Sequence, residues 1–223
     1  MGFDFDIVSR TMPAMLSGLV LTLEVAVWGM VIALVLGLGA AALGLSRYAT
    51  LRRIATVWVA LLRGVPLLVF MYWVYYGLTQ ASGISLGPMV AAVLAVGLTG
   101  SAYMAEVYRA GITAVDPGQR EAAAALGLPA RTAFWRITLP QAARYVVAPS
   151  VNVFVGLLKG ATIVSVIGVA DMLYVAKKVS VQTFTPFELY TTAGVILIAI
   201  TVVVAVIGFL LERRLSQGRE RYA

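Results

Sequence analysis

Two side chains that carry much of protein chemistry are missing from this sequence, because its 223 residues include no histidine and no cysteine. Without them there is no usual zinc site, no serine–histidine triad and no cysteine–histidine pair. The sequence also lacks the G-x4-G-K-[ST] loop that holds nucleotide phosphates. We therefore expect a chain that is not an enzyme, that carries no cofactor or metal of its own and that does not bind ATP in the P-loop manner.

One short motif with catalytic associations does occur, since the residues from Gly83 to Gly87 read G-x-S-x-G around Ser85. In hydrolases this pattern forms a nucleophile elbow, which needs a strand before it, a helix after it and a base beside the serine. The sequence offers neither the strand nor the base, whereas its glycines and the following Pro88 are typical of a turn. We interpret the motif as a turn, which argues against a protease.

The remaining chemistry is that of a few charges and hydroxyls in apolar sequence, where a charge is costly unless it is paired or faces water. Glu106 and Arg109 are three residues apart, so they share a helical face and are expected to form an ion pair. Lys159 and Asp171 could meet the two charged ends of an amino acid, but a snorkelling lysine and a solvated aspartate explain them equally well. Glu24 fits either a substrate contact or a place near the outer headgroups. Two hydroxyls could add hydrogen bonds, those of Thr162 and Ser165.

The composition places these groups in a lipid bilayer. Hydrophobic residues make up 61% of the chain and charged residues 12%, and the mean hydropathy is +0.94. A water-soluble globule of this size could not cover its surface with so few polar side chains. The elements that position the charges are therefore expected to be membrane helices.

Five such helices are predicted by counting charge-free runs against the roughly 20 residues that cross about 30 Å of hydrocarbon. The runs are residues 25–45, two crossings within residues 64–105 joined by a turn at residues 80–88, the stretch from Arg144 towards Lys159, and residues 189–211. We predict an all-α polytopic membrane protein whose single domain covers residues 1–223, with an outer segment at about residues 160–187.

Small residues cluster in the first and third predicted spans, at residues 37–41 and 97–101. Lipid gives no hydrophobic force between helices, so small side chains that let two backbones approach closely are a common basis of packing. We interpret both clusters as structural contacts between spans.

The basic residues indicate the orientation, because short loops rich in Lys and Arg stay in the cytoplasm. With the N-terminus outside and the C-terminus inside, every arginine except Arg10 falls in an inside segment, and the lysines Lys159, Lys177 and Lys178 lie outside. Nucleic-acid binding would require a solvated basic face, whereas these arginines flank apolar spans. We predict a multi-pass membrane protein that binds no nucleic acid.

The segment between the third and fourth spans, at about residues 110–143, is too long for a minimal turn. Asp116, Pro117 and Gln119 read as an N-cap, a first-turn proline and the partner in a capping box. A helix is predicted from there to Leu126, and Gly127 suits a left-handed C-terminal cap.

Pro129 is then predicted to open a second short helix over residues 130–137, and Leu139-Pro140 to start the next one. The result would be a cytoplasmic helix-turn-helix. By pattern alone, it could equally be an amphipathic segment resting on lipid headgroups through its arginines and Phe134-Trp135. The order of the residues decides between the two.

That order resembles the E-A-A-x3-G-x9-I-x-L-P signature of the permease subunits of ABC importers. The resemblance implies that this segment couples the chain to a separate ATP-binding subunit. It assigns the coupling role to Glu121, Ala122, Ala123, Gly127, Ile137, Leu139 and Pro140.

Three further stretches resemble the polar amino-acid branch of that family. Arg63 to Val69 is similar to R-G-T-P-L-L-V, Tyr103 to Gln119 is similar to Y-x-A-E-x-x-R-x-G-I-x-x-V-x-x-G-Q, and Lys159 to Met172 is similar to L-K-x-T-S-L-x-S-x-I-x-x-x-E-L. The sequence departs from the pattern at Val65, Phe70, Ile163 and Asp171. The candidates for the substrate pathway are Glu24, Arg63, Pro66, Lys159, Thr162, Ser165 and Asp171.

The resemblance implies a subunit of the bacterial inner membrane, part of an importer that moves a polar or charged amino acid, or a close derivative, into the cytoplasm. It implies as partners an ATPase dimer that binds ATP and Mg, a second permease subunit that is identical or related, a periplasmic substrate-binding protein and membrane lipid. The alternative is a secondary transporter or channel that works alone. Such proteins usually show inverted repeats or proton-relay residues, and this sequence has neither.

Overall fold

The computed structural model describes residues 3–216. Arg219 and Arg221, two of the arginines that the orientation prediction placed inside, lie outside the described residues. Within that range the chain is helical and contains no strand. The α-helices are α1 (Phe5–Gly44), α2 (Ala49–Gly64), α3 (Leu67–Tyr72), α4 (Leu78–Ser82), α5 (Pro88–Thr113), α6 (Pro117–Ala125), α7 (Ala130–Ala133), α8 (Leu139–Gly160), α9 (Met172–Thr183) and α10 (Pro186–Ser216). π-helical turns join α3 to α4 and α7 to α8, and a 3₁₀ segment, Ala161–Ile167, continues α8.

Four of the described helical segments are long and apolar enough to cross a bilayer, namely α1, α5, the run Ala130–Ile167 and α10. A fifth crossing is available only as a bent pair, in which α2 meets the run Leu67–Ser82 at 102°. The predicted number of spans is therefore reached if the bent pair counts as one.

The first helix begins at Phe5, far earlier than the predicted start at residue 25. The Asp4 carboxylate caps it by accepting hydrogen bonds from the Asp6 and Ile7 N–H groups at 3.0 and 3.1 Å. Glu24 interrupts the charge-free run but not the helix, because its side chain is exposed and competes for no backbone bond. A helix of 40 residues is about 60 Å long, twice the thickness of the hydrocarbon.

The second span differs from the prediction, which began it at residue 64 and left the preceding arginines in a loop. Arg52, Arg53 and Arg63 all lie in α2. The helix breaks at Val65, which is extended (φ −90°, ψ 128°) because the ring of Pro66 disfavours the helical conformation in the residue before it. Counting charges missed α2, since its arginines follow the polar face of an amphipathic helix.

The fourth span also begins earlier than predicted, because α7, the π-helical turn and α8 form one run from Ala130. The second coupling helix does not end at Ile137, and Arg144 lies inside α8 rather than before it. Leu139 does begin α8, as expected. Pro140 lacks an N–H donor, and the shift to π-helical bonding just before it lets the helix continue without that donor.

Close packing of α1 against α5 forms the centre of the fold and confirms the role predicted for the small residues. A Cβ on Gly37 would lie 2.6 Å from the Met104 Cβ and 2.9 Å from the Ser101 carbonyl oxygen. A Cβ on Gly97 would lie 2.7 Å from the Ile32 Cβ. Gly39 is different, since nothing lies within 4 Å of its Cβ position.

Candidate functional site

The segment between α5 and α8, residues 117–140, begins with a capped helix. The Asp116 Oδ1 accepts a hydrogen bond from the Gly118 N–H at 2.7 Å, and Pro117 occupies the first turn of α6. The capping-box bond expected from the Gln119 side chain is not among the hydrogen bonds of the described residues. The start of the helix is therefore predicted correctly, with one side-chain cap instead of two.

Gly127 ends α6 in the left-handed conformation, with φ +71°, as predicted. The Gly127 N–H donates to the Ala124 carbonyl at 2.9 Å, and the Leu128 N–H donates to the Ala123 carbonyl at 3.0 Å. These two bonds make a complete Schellman motif. The turn into Pro129 is therefore fixed by backbone hydrogen bonds rather than by packing.

This segment, to which the resemblance assigns the coupling role, has a buried side and an exposed side. Ala123, Ala133 and Thr138 are buried between α6 and the start of the fourth span. Ala123, to which the resemblance assigns a coupling role, is therefore covered by side chains of its own chain. The exposed side is apolar at several positions, with Leu126 79% and Trp135 58% exposed.

The other residues with a coupling assignment are distributed along the same segment. Glu121, Ala122, Gly127 and Pro140 are exposed, whereas Ile137 and Leu139 are half-buried. The exposed members lie on α6, at its C-terminal turn and in the first turn of α8. Four of the seven residues are therefore accessible at the surface of this chain.

A second site is a groove of about 580 Å³ between the end of α1, α2 and the C-terminal half of α5. It is lined by Arg63, Tyr103, Glu106 and Arg109 among others. The Arg63 guanidinium lies over the Tyr103 ring, 5.1 Å from its centroid. The predicted ion pair is confirmed, with Arg109 Nη2 2.7 Å from Glu106 Oε2.

The groove corrects the expected place of Arg63, which is not in a cytoplasmic loop. Tyr103 is ten residues before the end of α5, or about 15 Å along the axis, so Arg63 lies beside the C-terminal half of that span. The Trp58 Nε1–H donates to Ser101 Oγ at 3.1 Å and fixes α2 to α5 at this depth. The exposed Pro66 lies at the adjoining break.

The residues predicted near the end of α8 separate in the structure. Lys159 is exposed, and the half-buried Thr162 donates its hydroxyl hydrogen bond to the Lys159 carbonyl at 2.7 Å. Ser165 is half-buried in the 3₁₀ segment. The break in the second span lies close to the same place, because Cδ2 of Leu67, the first residue of α3, lies 2.7 Å from the Cβ position of Gly160.

Asp171 is not available to a substrate, which contradicts its assignment to the pathway. Its side chain is 0% exposed, and Oδ1 caps α9 by accepting from the Tyr174 N–H at 2.8 Å. Gly18 of α1 lies directly against the Asp171 backbone, since a Cβ there would be 2.7 Å from the carbonyl carbon. Among the described residues, Asp171 and Lys159 form no ion pair.

The buried carboxyl of Asp171 should make stability depend on pH. Burial raises its pKa to about 6, although backbone N–H groups that donate hydrogen bonds to the carboxylate lower the pKa in part. Because the folded pKa exceeds the usual value of 3.8, the folded state binds the extra proton, and stability falls as pH rises from about 4 through about 6. Asp171→Asn should therefore stabilise the protein by roughly 2 kcal/mol above pH 6 and much less at pH 4.

Thermal unfolding of the purified protein across that pH range measures the effect. Asp171→Ala is the matched variant, because it removes the cap together with the charge and should forfeit about 1 kcal/mol relative to Asp171→Asn at every pH. If the thermal stability of the wild type and of Asp171→Asn changes with pH in the same way, the carboxyl is not buried as described.

The comparisons with known proteins agree with the geometry. Residues 33–217 match the family described as binding-protein-dependent transport system inner membrane component. The chain is 35% identical to the arginine transport system permease protein ArtQ of Bacillus subtilis (strain 168), over 98% of this chain and 100% of that protein. It is 34% identical to the histidine/lysine/arginine/ornithine transport system permease protein HisQ of Escherichia coli (strain K12), over 92% of this chain and 95% of that protein.

The fold matches as well. A crystal structure described as an amino acid ABC transporter with histidines contains a chain that superposes with a TM-score of 0.91 at 36% identity, covering 96% of this chain and 100% of that one. The chain therefore belongs to the family of inner membrane components of binding-protein-dependent transport systems, as a permease of the amino-acid ABC transporter type.

Proposed function

We propose that this chain is the membrane subunit of an ATP-driven importer for a cationic amino acid or a guanidino derivative, and that residues 117–140 bind its separate ATPase. The observation that carries the proposal is the capped helix-turn-helix with an exposed apolar side. An apolar surface at the end of the membrane helices, held by backbone bonds, is suited to a protein partner. The membership of the family implies an ATPase and a substrate-binding protein as partners.

The mechanical argument rests on the continuity of the fourth span. The run Ala130–Ile167 leads without interruption from the coupling turn to the 3₁₀ segment. A displacement of the turn by the ATPase would therefore move the end of α8 and, through the contact of Gly160 with Leu67, the broken second span. Transport requires two arrangements whose populations a partner changes, and this run supplies the connection.

The proposal also includes an orientation and an energy source. In it, the coupling segment, residues 117–140, faces the cytoplasm, where ATP is available, so that the start of α1 is outside and the end of α10 is inside. ATP and Mg would be held by the partner ATPase, in whose active site hydrolysis occurs. The arginine distribution supports this orientation.

The substrate class is supported by the groove and by the relatives. Related proteins are named for the transport of arginine, of histidine, lysine, arginine and ornithine, and of octopine. In the groove, Arg63 could bind a carboxylate, and Glu106 could exchange its partner Arg109 for the cationic end of a substrate. A second permease subunit, identical or related, would complete the pathway, and the periplasmic binding protein would deliver the substrate.

The proposal is tested by reconstituting the chain with its ATPase and binding protein in proteoliposomes and measuring uptake of labelled arginine. Arg63→Gln should reduce uptake at least about tenfold, because the carboxylate loses a charge-assisted partner at low dielectric. Arg63→Lys, which keeps the charge, should retain part of the activity. Arg53→Gln is the matched control on α2, since Arg53 does not line the groove.

The outcomes separate the alternatives. Uptake that needs no ATP and no partner would identify a secondary transporter or channel instead. If ATP-dependent uptake is unchanged in both Arg63→Gln and Arg53→Gln, the chain is still an importer subunit, but the groove is not part of the substrate pathway. Uptake of neutral amino acids in preference to arginine would overturn the substrate class.

A further inference from the structure

Three charged side chains follow one another along the groove of about 580 Å³ between α1, α2 and α5. Among the described residues that line it, Arg63, Glu106 and Arg109 are the charged ones. Arg63 lies over the ring of Tyr103, Glu106 is three residues after Tyr103, and Arg109 is three residues further on. Three residues rise about 4.5 Å along α5, so the wall carries a cation, a carboxylate and a second cation in that order.

The carboxylate in the middle is already paired with a guanidinium of the same helix. Arg109 Nη2 donates to Glu106 Oε2 at 2.7 Å, and Arg109 Nε donates to Glu106 Oε1 at 3.4 Å. One planar fork therefore contacts both carboxylate oxygens, which is the arrangement that the guanidino group of a substrate would make. A cationic ligand has to displace Arg109 before it binds Glu106.

Exchange at Glu106 costs little free energy, because both partners reach water. The Arg109 and Glu106 side chains are 48% and 37% exposed. An ion pair with this much exposure is weak, and a displaced guanidinium turns into solvent without becoming a buried charge. The backbone nevertheless keeps Arg109 within one turn of Glu106, so its effective concentration at the carboxylate stays high.

Arg109 also lies close to the coupling segment. It is four residues before the end of α5 at Thr113, whose hydroxyl donates to the Arg109 carbonyl at 3.0 Å. Three residues separate α5 from α6, and the middle one, Val115, is buried. A movement of α6 therefore reaches the level of Arg109 through a short and anchored connection.

We propose that Arg109 is an internal competitor that displaces the substrate from the groove on the cytoplasmic side. The inference rests on the proposed function, because it takes Arg63 and Glu106 as the groups that hold the carboxylate and the cationic end of an amino acid. The substrate displaces Arg109 when it binds. Arg109 returns to Glu106 when the substrate leaves, and this return favours release into the cytoplasm.

Equilibrium binding of labelled arginine to the purified complex of permease and ATPase, without the substrate-binding protein, measures the competition. Arg109→Gln should lower the Kd for arginine about threefold, because an exposed ion pair no longer opposes binding. Citrulline has the same length but a neutral ureido group, so its Kd should not change. The matched control is Arg53→Gln, which removes a positive charge of α2 outside the groove and should leave both Kd values unchanged.

Arginine uptake by the reconstituted transporter is the second measurement. Arg109→Gln should lower the maximal rate of uptake about threefold although it tightens binding, because release then lacks the competing guanidinium. Arg109→Lys keeps a cation beside Glu106 and should restore most of the rate. An ion pair that only stabilised α5 would change the thermal stability and would not move affinity and rate in opposite directions.

The outcomes separate this role from others. In a Glu106→Gln background, Arg109→Gln should have no further effect on arginine binding. Weaker binding of both arginine and citrulline in Arg109→Gln would make Arg109 a substrate contact and overturn the proposal.

Failure of the inference and failure of the proposed function give different results. If Arg63→Gln reduces uptake as expected but Arg109→Gln does not tighten arginine binding, the inference alone is wrong. If the wild type neither binds nor transports arginine, the proposed function is wrong and the inference is wrong with it.

Discussion

Gly127→Val should reduce ATP-driven uptake at least about tenfold while the protein still inserts into the membrane and keeps its helices. The reason is conformational, because Gly127 has φ +71° and a β-branched residue is a genuine outlier there. Restoring a negative φ would break the two Schellman bonds that tie Gly127 and Leu128 to α6. The exposed side of the coupling segment would then meet the ATPase at the wrong angle.

Gly127→Asn is the control that separates backbone from bulk. Nothing lies within 4 Å of the Cβ position of Gly127, so a side chain meets no obstacle within this chain. Asparagine accepts the left-handed conformation more readily than other residues, and this variant should keep most of the uptake. Uptake and retention of the ATPase are measured together on the purified complex.

Two results would contradict the argument. If Gly127→Val transports like the wild type, the turn does not position the coupling surface. If Gly127→Asn fails as completely as Gly127→Val, the ATPase requires an open surface at this position, and the left-handed backbone is not the reason for the glycine.

The features that the sequence predicted well are those whose causes are local. Asp116 and Pro117 start α6 and Gly127 ends it, because each acts through a backbone bond or dihedral within four residues. The ion pair of Glu106 with Arg109 is local in the same sense. The prediction of a membrane protein is also independent of contacts, because it follows from the composition alone.

The features that were missed depend on neighbours in space or on helices that carry charge. Counting charge-free runs placed the start of the first span too late because Glu24 lies on its exposed side, and it overlooked α2 because that helix is amphipathic. Pro66 signals the break between α2 and α3 because it disfavours the helical conformation at Val65, but the sequence does not give the angle of 102° between the two halves. No pattern within the sequence shows that Asp171 is covered by Gly18 of a helix more than a hundred residues away.

Gly37→Ala should lower the stability of the folded protein by about 1–3 kcal/mol, although it adds a single methyl group. The added Cβ would lie 2.6 Å from the Met104 Cβ, 2.9 Å from the Ser101 carbonyl oxygen and 3.1 Å from the Ala105 nitrogen. Two of these atoms belong to the backbone of α5, so no side-chain rotation relieves the contact. Helix α1 must move away from α5 along their closest approach, and dispersion contacts on both sides are lost.

Gly39→Ala is the matched variant in the same helix. Gly39 is exposed, and nothing lies within 4 Å of its Cβ position, so the methyl group meets lipid or detergent. Alanine is favoured over glycine in a helix by about 1 kcal/mol, and this change should leave stability equal or slightly raised. The two variants have the same composition and differ only in the face of α1 that they alter.

Thermal unfolding of both variants in one detergent decides the matter, with an expected fall in Tm of about 3–10 °C for Gly37→Ala and none for Gly39→Ala. Equal Tm values for the two glycine variants would mean that α1 and α5 are farther apart than the interlocking glycines require, and the central packing of the fold would have to be redrawn.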